Sequence, residues 1–361
     1  GPDRVGSRGC HGACEPGSAT RLSPRALAAL AALGFAVDPL SLQAATSGME
    51  VSFATALALG TALSLHRARY AVAAGLAALA CWTRPELLVL AAAASVGCAV
   101  ARRSKAALLP LLSALLAIAI YAVYCQLVSG YPLPNTYYVK SRPFALTHLA
   151  YLATEVLPKQ PYVLSLLGVL LGVLGGLRAL RERGTLAALL AAALASLVAT
   201  AATRVQYPGV QFAQSRYFAP LLWLLPLAAA AGAARLHRLA AALGMLAPLA
   251  LSLFMGVRGA ELQRAQEHGV TRLHVEPARF VSTLADARVL GVEGAGALRY
   301  FTPRNLRVVD VVGLNDRTLA HARGKPGARL CHLIRAGITH FAYPEPWSDF
   351  LAKGFELEPL A

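Results

Sequence analysis

The stretch AALLPLLSALLAIAIYAVYCQLV, residues 106–128, decides the class of this protein. It contains no charged residue, and it is longer than the run of about 20 apolar residues that a helix needs to cross a bilayer. Similar stretches lie on both sides of it, and of the 361 residues 57% are hydrophobic and only 14% are charged. Soluble domains contain about 25% charged residues. The composition therefore predicts a polytopic α-helical membrane protein and argues against a soluble enzyme.

Working outward from this stretch, the apolar segments predict about eight or nine helices. The predicted helices cover residues 26–46, 50–65, 70–82, 86–101, 106–128, 162–180, 185–203, 217–234 and 239–257. At about 1.5 Å per residue, some of them are shorter than the hydrocarbon core of about 30 Å. We therefore assign residues 25–257 to a membrane domain that contains both full-length and short helices.

The composition changes after the membrane domain. Residues 258–361 carry frequent charges and short valine-rich runs, which predict a small C-terminal α/β domain. The predicted strands cover residues 288–292, 306–312 and 338–343. The sequence that follows Asp310 is interpreted as a turn. Residues 1–24 are polar and have no apolar core, so we expect a disordered leader there rather than a signal peptide.

Basic residues sort the connections between helices into two sets. The basic clusters lie at residues 66–69, 102–105, 178–183 and 235–238, after every second predicted helix. Because short loops rich in Lys and Arg stay on the cytoplasmic side of a membrane, all four clusters are predicted to be cytoplasmic. The remaining loops and the C-terminal domain are then extracytoplasmic. This topology accounts for the net charge of +16, so no nucleic-acid partner is expected.

The turn TRPE, residues 83–86, places two charged residues beside short helices at the predicted outer face. A charge at membrane depth is costly unless it is paired or hydrated, so Arg84 and Glu86 are expected to line a polar recess, in which Arg84 is predicted to bind a phosphate. A simple helix start is the open alternative, because Pro85 and Glu86 both suit the first turn of a helix. Glu50 begins a helix on the same side and is the other carboxylate near this recess.

The segment YPLPNTYYVKSR, residues 131–142, combines aromatic, amide and basic side chains at the predicted outer interface. Aromatic rings can stack on sugar faces and amides can hydrogen-bond hydroxyls, whereas Lys and Arg bind phosphate. The residues predicted to bind a sugar are Asn135, Tyr137 and Tyr138, and those predicted to bind phosphate are Lys140 and Arg142. An aromatic belt at the membrane interface is the alternative interpretation of the tyrosines.

Arg216 and Tyr217 follow another outer loop and precede a helix. The dipole at a helix N-terminus attracts anions, so a cation there indicates an anionic partner. We predict that Arg216 binds phosphate and that Tyr217 contacts the sugar or acceptor, with snorkelling of Arg216 to lipid phosphate as the alternative. The nine histidines show no ligand spacing, so no metal and no cofactor is expected.

In their order along the chain, these motifs resemble a family of bacterial membrane glycosyltransferases of the GT-C superfamily, similar to the mycobacterial terminal arabinofuranosyltransferases. The motifs are SGME (47–50), TRPE (83–86), YPLPNTYYVK (131–140), SRY (215–217), GVEGAGALRYF (291–301) and VDVVGLND (309–316). The resemblance implies a polyprenyl-phosphate sugar donor, an envelope glycan or lipid acceptor, and transfer on the extracytoplasmic side of the bacterial inner membrane. It implies no nucleotide sugar.

One feature of that family has no counterpart here. Its members carry an acidic pair in the loop after the first membrane helix, whereas residues 1–24 contain only Asp3 and Glu15, in a different context. We therefore expect the chain to lack that helix and loop, which leaves Glu50 and Glu86 as candidate bases. Two functions remain open: a glycosyltransferase that uses a polyprenyl-phosphate sugar, and a catalytically silent membrane subunit that binds lipid-linked sugar.

Overall fold

The computed structural model describes most of the chain. The described residues are 21–46, 50–140, 149–203, 216–322, 324–343 and 348–357. These residues are mostly α-helical, and a three-stranded sheet lies in the C-terminal part. The architecture agrees with the predicted class, a helical membrane protein with a small C-terminal α/β domain.

The helices of the apolar part begin and end close to the predicted positions. They are α1 (Pro24–Ala36), α2 (Pro39–Thr46), α3 (Val51–His66), α4 (Tyr70–Thr83), α5 (Leu88–Arg102), α6 (Leu109–Ser129), α7 (Asn135–Lys140), α8 (Leu149–Tyr151), α9 (Pro161–Leu164), α10 (Leu166–Glu182), α11 (Thr185–Thr203), α12 (Leu224–Ala233) and α13 (Arg238–Val270). Short 3₁₀ turns precede α5, α6 and α12. Long uncharged runs therefore predicted helix positions well.

The predicted helix at 26–46 is an exception, because the structure divides it into α1 and α2. The predicted helix at 162–180 is also divided, at Ser165, while those at 217–234 and 239–257 correspond to a later start at Leu224 and a later end at Val270. The chain leaves α1 at Val37, and the Asp38 carboxylate accepts hydrogen bonds from the backbone N–H groups of Leu40 and Ser41, each at 3.0 Å. Aspartate is favoured at such a position because its side chain satisfies N–H groups that have no partner within the helix. Asp38 therefore caps α2 and ends the continuous helix.

Four helical stretches within the described ranges are long and apolar enough to cross a membrane. They are Pro85–Arg102, Lys105–Ser129, Thr185–Thr203 and Arg238–Glu261. Large apolar side chains on these stretches are exposed, such as Val100, Leu116 and Leu127. An apolar surface of this kind suits lipid rather than water. These stretches support the prediction of a membrane protein with several transmembrane helices.

Contacts between the predicted cytoplasmic loops place their basic clusters at one end of the helical bundle. His66 Nδ1 lies 2.9 Å from the Thr185 hydroxyl, and the guanidinium of Arg102 donates to the carbonyl of His66. Glu182, close to Thr185 in sequence, lies 3.9 Å from the guanidinium of Arg235. Since α3, α4 and α5 run up and down between the loops, their other termini meet at the opposite end. The alternation predicted from charge is therefore present in the packing.

Helices α10 and α12 pack through glycine. A Cβ atom at Gly175 would collide with the carbonyl of Ala228, and one at Gly232 would collide with the carbonyl of Leu171. Small residues allow membrane helices to approach this closely, which increases their van der Waals contact. Gly175 and Gly232 therefore set the distance between these two helices.

We expect Gly175→Ala to lower the stability of the bundle by about 1–3 kcal/mol, because the added methyl group must push two backbones apart. Gly172 on the same helix is the matched control, since nothing lies within 4 Å of a Cβ atom built there. The measurement is the thermal unfolding midpoint of each variant in detergent. Equal midpoints for Gly175→Ala and Gly172→Ala would contradict the packing explanation.

Helix α13 connects the membrane domain to the C-terminal domain without interruption. It contains 33 residues, from Arg238 to Val270, and passes through the predicted domain boundary at 257/258. At about 1.5 Å per residue, such a helix is about 50 Å long, so it extends well beyond a bilayer core. The helix continues because the polar residues after Arg258 include the good helix formers Glu and Gln, which propagate a helix in water as well.

The C-terminal domain contains a parallel sheet with the strand order β2-β1-β3. Its elements are α14 (Glu276–Val281), β1 (Val289–Val292), α15 (Ala295–Phe301), β2 (Arg307–Asp310), α16 (Arg317–His321), α17 (Pro326–Arg335), β3 (His340–Ala342) and α18 (Ser348–Leu351). Leu290 and Val292 of the central strand are fully buried. All three predicted strands are confirmed. The central strand is the most buried of them, as expected for an unbroken apolar run.

Candidate active site

Arg84 lies where the chain passes from α4 to α5. Its backbone is extended, with φ −143° and ψ 99°. Because a residue before proline avoids the helical conformation, Pro85 ends α4 at this point. A 3₁₀ turn then covers Pro85–Leu87, and α5 begins at Leu88. This turn brings the side chains of Arg84 and Glu86 together.

Arg84 and Glu86 form a buried ion pair. The Arg84 Nε atom donates a hydrogen bond of 2.8 Å to Glu86 Oε1, and Nη2 lies 2.8 Å from the same oxygen. Only 4% of the Arg84 side chain and 15% of the Glu86 side chain is exposed. A buried guanidinium requires such a partner, since an unpaired charge away from water is very costly. The pair supports the structural interpretation of this turn.

Glu50 completes the charge arrangement around Arg84. Its Oε1 atom lies 4.0 Å from Arg84 Nη1, and 44% of its side chain is exposed. Glu50 precedes α3, so α3 contributes this carboxylate to the turn between α4 and α5. Of the two carboxylates near Arg84, Glu50 is the one more open to an incoming molecule.

Arg216 and Tyr217 approach the same guanidinium from a distant part of the chain. Arg84 Nη1 donates to the carbonyl of Arg216 at 3.4 Å, and the Arg84 guanidinium carbon lies 4.9 Å from the Tyr217 ring centroid. The Arg216 guanidinium carbon lies 5.5 Å from that ring. These separations are typical of cation–π contacts. We call Glu50, Arg84, Glu86, Arg216 and Tyr217 the ion cluster.

The ion cluster contains two cations, two carboxylates and one phenol ring. A cation can stabilise an anionic leaving group, and an accessible carboxylate can accept a proton from a hydroxyl. Glu86 is already held by Arg84, so Glu50 is the better candidate for proton transfer. Among the described residues, no group of three or more His, Cys, Asp or Glu is arranged to hold a metal ion.

A second group of side chains joins the segment at 131–140 to the C-terminal domain. The rings of Tyr131 and His321 are stacked with centroids 3.4 Å apart, and the Tyr138 centroid lies 4.1 Å from that of His321. The Arg317 guanidinium carbon lies 4.9 Å from the Tyr131 ring centroid. Burial, and then the Arg317 charge, lower the pKa of His321 and so favour the neutral imidazole. We call Tyr131, Tyr138, Arg317 and His321 the aromatic junction.

The predicted sugar-binding and phosphate-binding residues of this segment lie on α7. The Asn135 Oδ1 atom is buried and has no hydrogen-bond partner among the described residues. Tyr137 is 44% exposed and meets Tyr138 edge to face at 5.7 Å between centroids. Lys140 ends the helix and is half-buried. The predicted Arg142 lies outside the described residues.

The ion cluster and the aromatic junction lie at the same end of the bundle. Helix α6 starts after the basic cluster that includes Lys105 and ends at Ser129, so Tyr131 lies at the end opposite that basic cluster. Arg84 and Glu86 lie at that end too, because they precede α5, which runs to Arg102. Of the residues predicted from the sequence, the described contacts therefore bring five together in the ion cluster and place Tyr138 in the aromatic junction. The five are Glu50, Arg84, Glu86, Arg216 and Tyr217.

Sequence reasoning missed Arg317 and His321. They follow Asp316, which caps α16 by accepting a hydrogen bond of 3.0 Å from the backbone N–H of Leu319. A helix cap of this kind can be read from sequence. The stacking on Tyr131 and Tyr138 cannot, because it joins residues that are far apart in the chain. The turn interpretation of Asp310 agrees with its hydrogen bonds, since its carboxylate accepts from three backbone N–H groups that follow it.

Comparison with known proteins gives one partial match. A family model described as a domain of unknown function, DUF8728, matches residues 260–351. The matched region includes the three strands, Arg317 and His321. No curated protein matches the chain, and no solved structure matches it.

Proposed function

We propose that this protein transfers a sugar from a polyprenyl-phosphate donor to an envelope glycan or lipid acceptor on the extracytoplasmic side of a bacterial inner membrane. The observation that carries the proposal is the ion cluster. At one end of an apolar bundle, Glu50 and Glu86 lie beside the Arg84 guanidinium, which also donates to the backbone carbonyl of Arg216. A lipid-linked donor presents its phosphate near such an end, where cations and an accessible carboxylate can reach its head group.

The proposed reaction assigns separate roles to these side chains. The bond between the sugar anomeric carbon and the phosphate oxygen breaks, and a bond to the acceptor oxygen forms. Glu50 accepts the acceptor hydroxyl proton, while Arg216 and Lys140 stabilise the departing phosphate. Tyr137, Tyr138 and Tyr217 provide aromatic surface for the sugar, and the Asn135 amide hydrogen-bonds its hydroxyls. Arg84 keeps Glu50, Glu86 and Tyr217 together and adds positive charge beneath the phosphate.

The charge distribution supports the proposed side of the membrane. The basic clusters are gathered at one end of the bundle, and loops rich in Lys and Arg stay in the cytoplasm. The ion cluster lies at the other end. Helix α13 starts near Arg235 at the basic end and carries the C-terminal domain to the opposite end. We therefore propose that the ion cluster and the C-terminal domain are extracytoplasmic.

A reporter fused after Ala361 tests this topology. We expect alkaline phosphatase, which needs export to fold, to be active at this position, because α13 would carry it across the membrane. Green fluorescent protein at the same position should stay dark after Sec-dependent export. An inactive phosphatase fusion together with a fluorescent protein fusion that fluoresces would overturn the topology and the placement of the ion cluster.

Transfer of a labelled sugar tests the proposed function directly. The purified chain is reconstituted in liposomes with a radiolabelled polyprenyl-phosphate sugar and an envelope glycan fraction. We expect label to appear in the glycan, and none to appear when a nucleotide sugar replaces the lipid-linked donor. Binding without transfer for every donor and acceptor would contradict the proposed enzyme.

The second candidate function is a catalytically silent membrane subunit that binds lipid-linked sugar. The specific observation in its favour is the pairing of Arg84 with Glu86 at 2.8 Å, which already neutralises the most buried cation of the ion cluster. Such a subunit would bind the donor through Lys140 and Arg216 without turnover. Donor binding that is saturable and reduced by Lys140→Gln, in a protein that transfers no sugar, would support this function.

A further inference from the structure

We infer that Arg317 and His321 are positioning residues, which hold the segment 131–140 against the C-terminal domain and so fix the side chains of α7. The inference rests on the proposed function in one respect, since α7 is taken to bind the donor. The holding contact itself stands on the geometry of the aromatic junction. Neither residue belongs to the proposed reacting groups.

The membrane side of the junction is built to receive Arg317. Gly130 ends α6 with φ +73°, a left-handed conformation that favours glycine. A Cβ atom at Gly130 would lie 2.8–2.9 Å from three atoms of the Arg317 guanidinium. Glycine therefore provides both the turn that leads to Tyr131 and the space into which the guanidinium fits.

The two tyrosines hold His321 from two directions. Tyr131 stacks on its ring with an interplanar angle of 19°, and Tyr138 lies tilted at 46°. The two tyrosine rings meet each other edge to face at 5.8 Å between centroids. The His321 Nε2 atom has no hydrogen-bond partner among the described residues, so ring contacts rather than a hydrogen bond determine its place. Because Tyr138 lies on α7, the orientation of α7 follows that of His321.

The C-terminal side of the junction is anchored to α17 and to the turn that follows β2. Asp316 caps α16, and its Oδ2 atom lies 2.9 Å from His332 Nε2 on α17. The preceding turn packs closely on α16, because Gly313 has φ +94° and a Cβ atom there would lie 2.7 Å from Ala320 N. Helix α16 is therefore held at its N-terminus by the contact of Asp316 with His332, and along one side by the turn that contains Gly313. A short helix held in this way can set the position of a loop that stacks on it.

Hydrogen exchange on the full chain in lipid nanodiscs tests the holding contact without any ligand. His321→Ala and Arg317→Ala are expected to speed amide exchange in residues 135–140 by up to about tenfold, since a ring contact of this kind contributes up to about 1.4 kcal/mol. His321→Phe keeps the stacked ring and should restore slow exchange. Arg335→Ala is the matched control, because Arg335 is an exposed arginine of the same domain.

Kinetics with a polyprenyl-phosphate sugar test the consequence for the donor. We expect His321→Ala to raise the donor KM several-fold with kcat nearly unchanged, and His321→Phe to return KM to the wild-type value. Unchanged exchange in both alanine variants would overturn the inference, as would fast exchange in His321→Phe. Faster exchange with an unchanged donor KM would overturn the link to the donor. If the wild-type chain transfers no sugar, the proposed function fails, while the exchange result still decides the holding contact.

Discussion

Replacing Arg84 with methionine is expected to lower the free energy of unfolding by about 3–5 kcal/mol, because it removes the cation that pairs with the partly buried carboxylate of Glu86. Only 15% of the Glu86 side chain is exposed, and Arg84 provides its 2.8 Å ion pair. Arg84→Met also removes the hydrogen bond to the Arg216 carbonyl and the contact with the Tyr217 ring. The measurement is equilibrium unfolding of the purified protein in mixed detergent micelles.

The matched control replaces both partners of the pair. In the double variant Arg84→Met/Glu86→Met both charges of the pair are removed, and replacing a whole buried pair by apolar residues is often neutral. Glu50 also loses Arg84, but 44% of its side chain is exposed to solvent. We therefore expect the double variant to recover most of the stability lost in Arg84→Met. A double variant as unstable as the single one would show that the Tyr217 and Arg216 contacts, rather than the ion pair, carry the role of Arg84.

Replacing Glu50 with glutamine is expected to reduce sugar transfer by about 10²–10⁴-fold, the usual contribution of a general base. The change should hardly alter stability, because 44% of the side chain is exposed and its nearest guanidinium nitrogen is 4.0 Å away. The measurement is kcat for transfer from a radiolabelled polyprenyl-phosphate sugar in liposomes, with the unfolding midpoint measured on the same preparation.

Glu86→Gln is the matched comparison for Glu50→Gln. Since Glu86 is tied to Arg84, its replacement should lower the unfolding midpoint more than that of Glu50→Gln. If Glu86→Gln abolished sugar transfer while Glu50→Gln retained it in full, Glu86 rather than Glu50 would be the general base. Transfer that is insensitive to both changes would contradict the assignment of the ion cluster as the active site.

The helices and strands were largely predictable because they depend on local composition. Uncharged runs marked α3, α4, α5, α6 and α11, and valine-rich runs marked the three strands. The helix break at Asp38 was not predicted, because an aspartate within an apolar run can either interrupt a helix or face a polar neighbour. In the structure Asp38 interrupts the helix, because its carboxylate accepts hydrogen bonds from the backbone N–H groups of Leu40 and Ser41.

The sequence predicted which residues belong to the ion cluster, but not how they are arranged around Arg84. Arg84 and Glu86 are two residues apart, so their pairing was a foreseeable alternative to a phosphate-binding recess. Glu50 and Tyr217 were chosen as separate motifs, and nothing in the sequence specified their distances to Arg84. Arg317 and His321 were missed, since a stack between two domains leaves no periodic signal in either segment.

The sequence by itself predicted a mostly helical chain with helices long and apolar enough to cross a membrane, a small C-terminal sheet region, and basic loops that alternate with motif-bearing loops. These properties follow from composition and spacing along the chain, which act locally on each helix and loop. Only the tertiary structure decided that Glu50, Arg216 and Tyr217 converge on Arg84 and that His321 stacks on Tyr131 and Tyr138. Such contacts depend on how helices pack, because a buried charge or ring takes its partner from whichever segment the packing brings within reach.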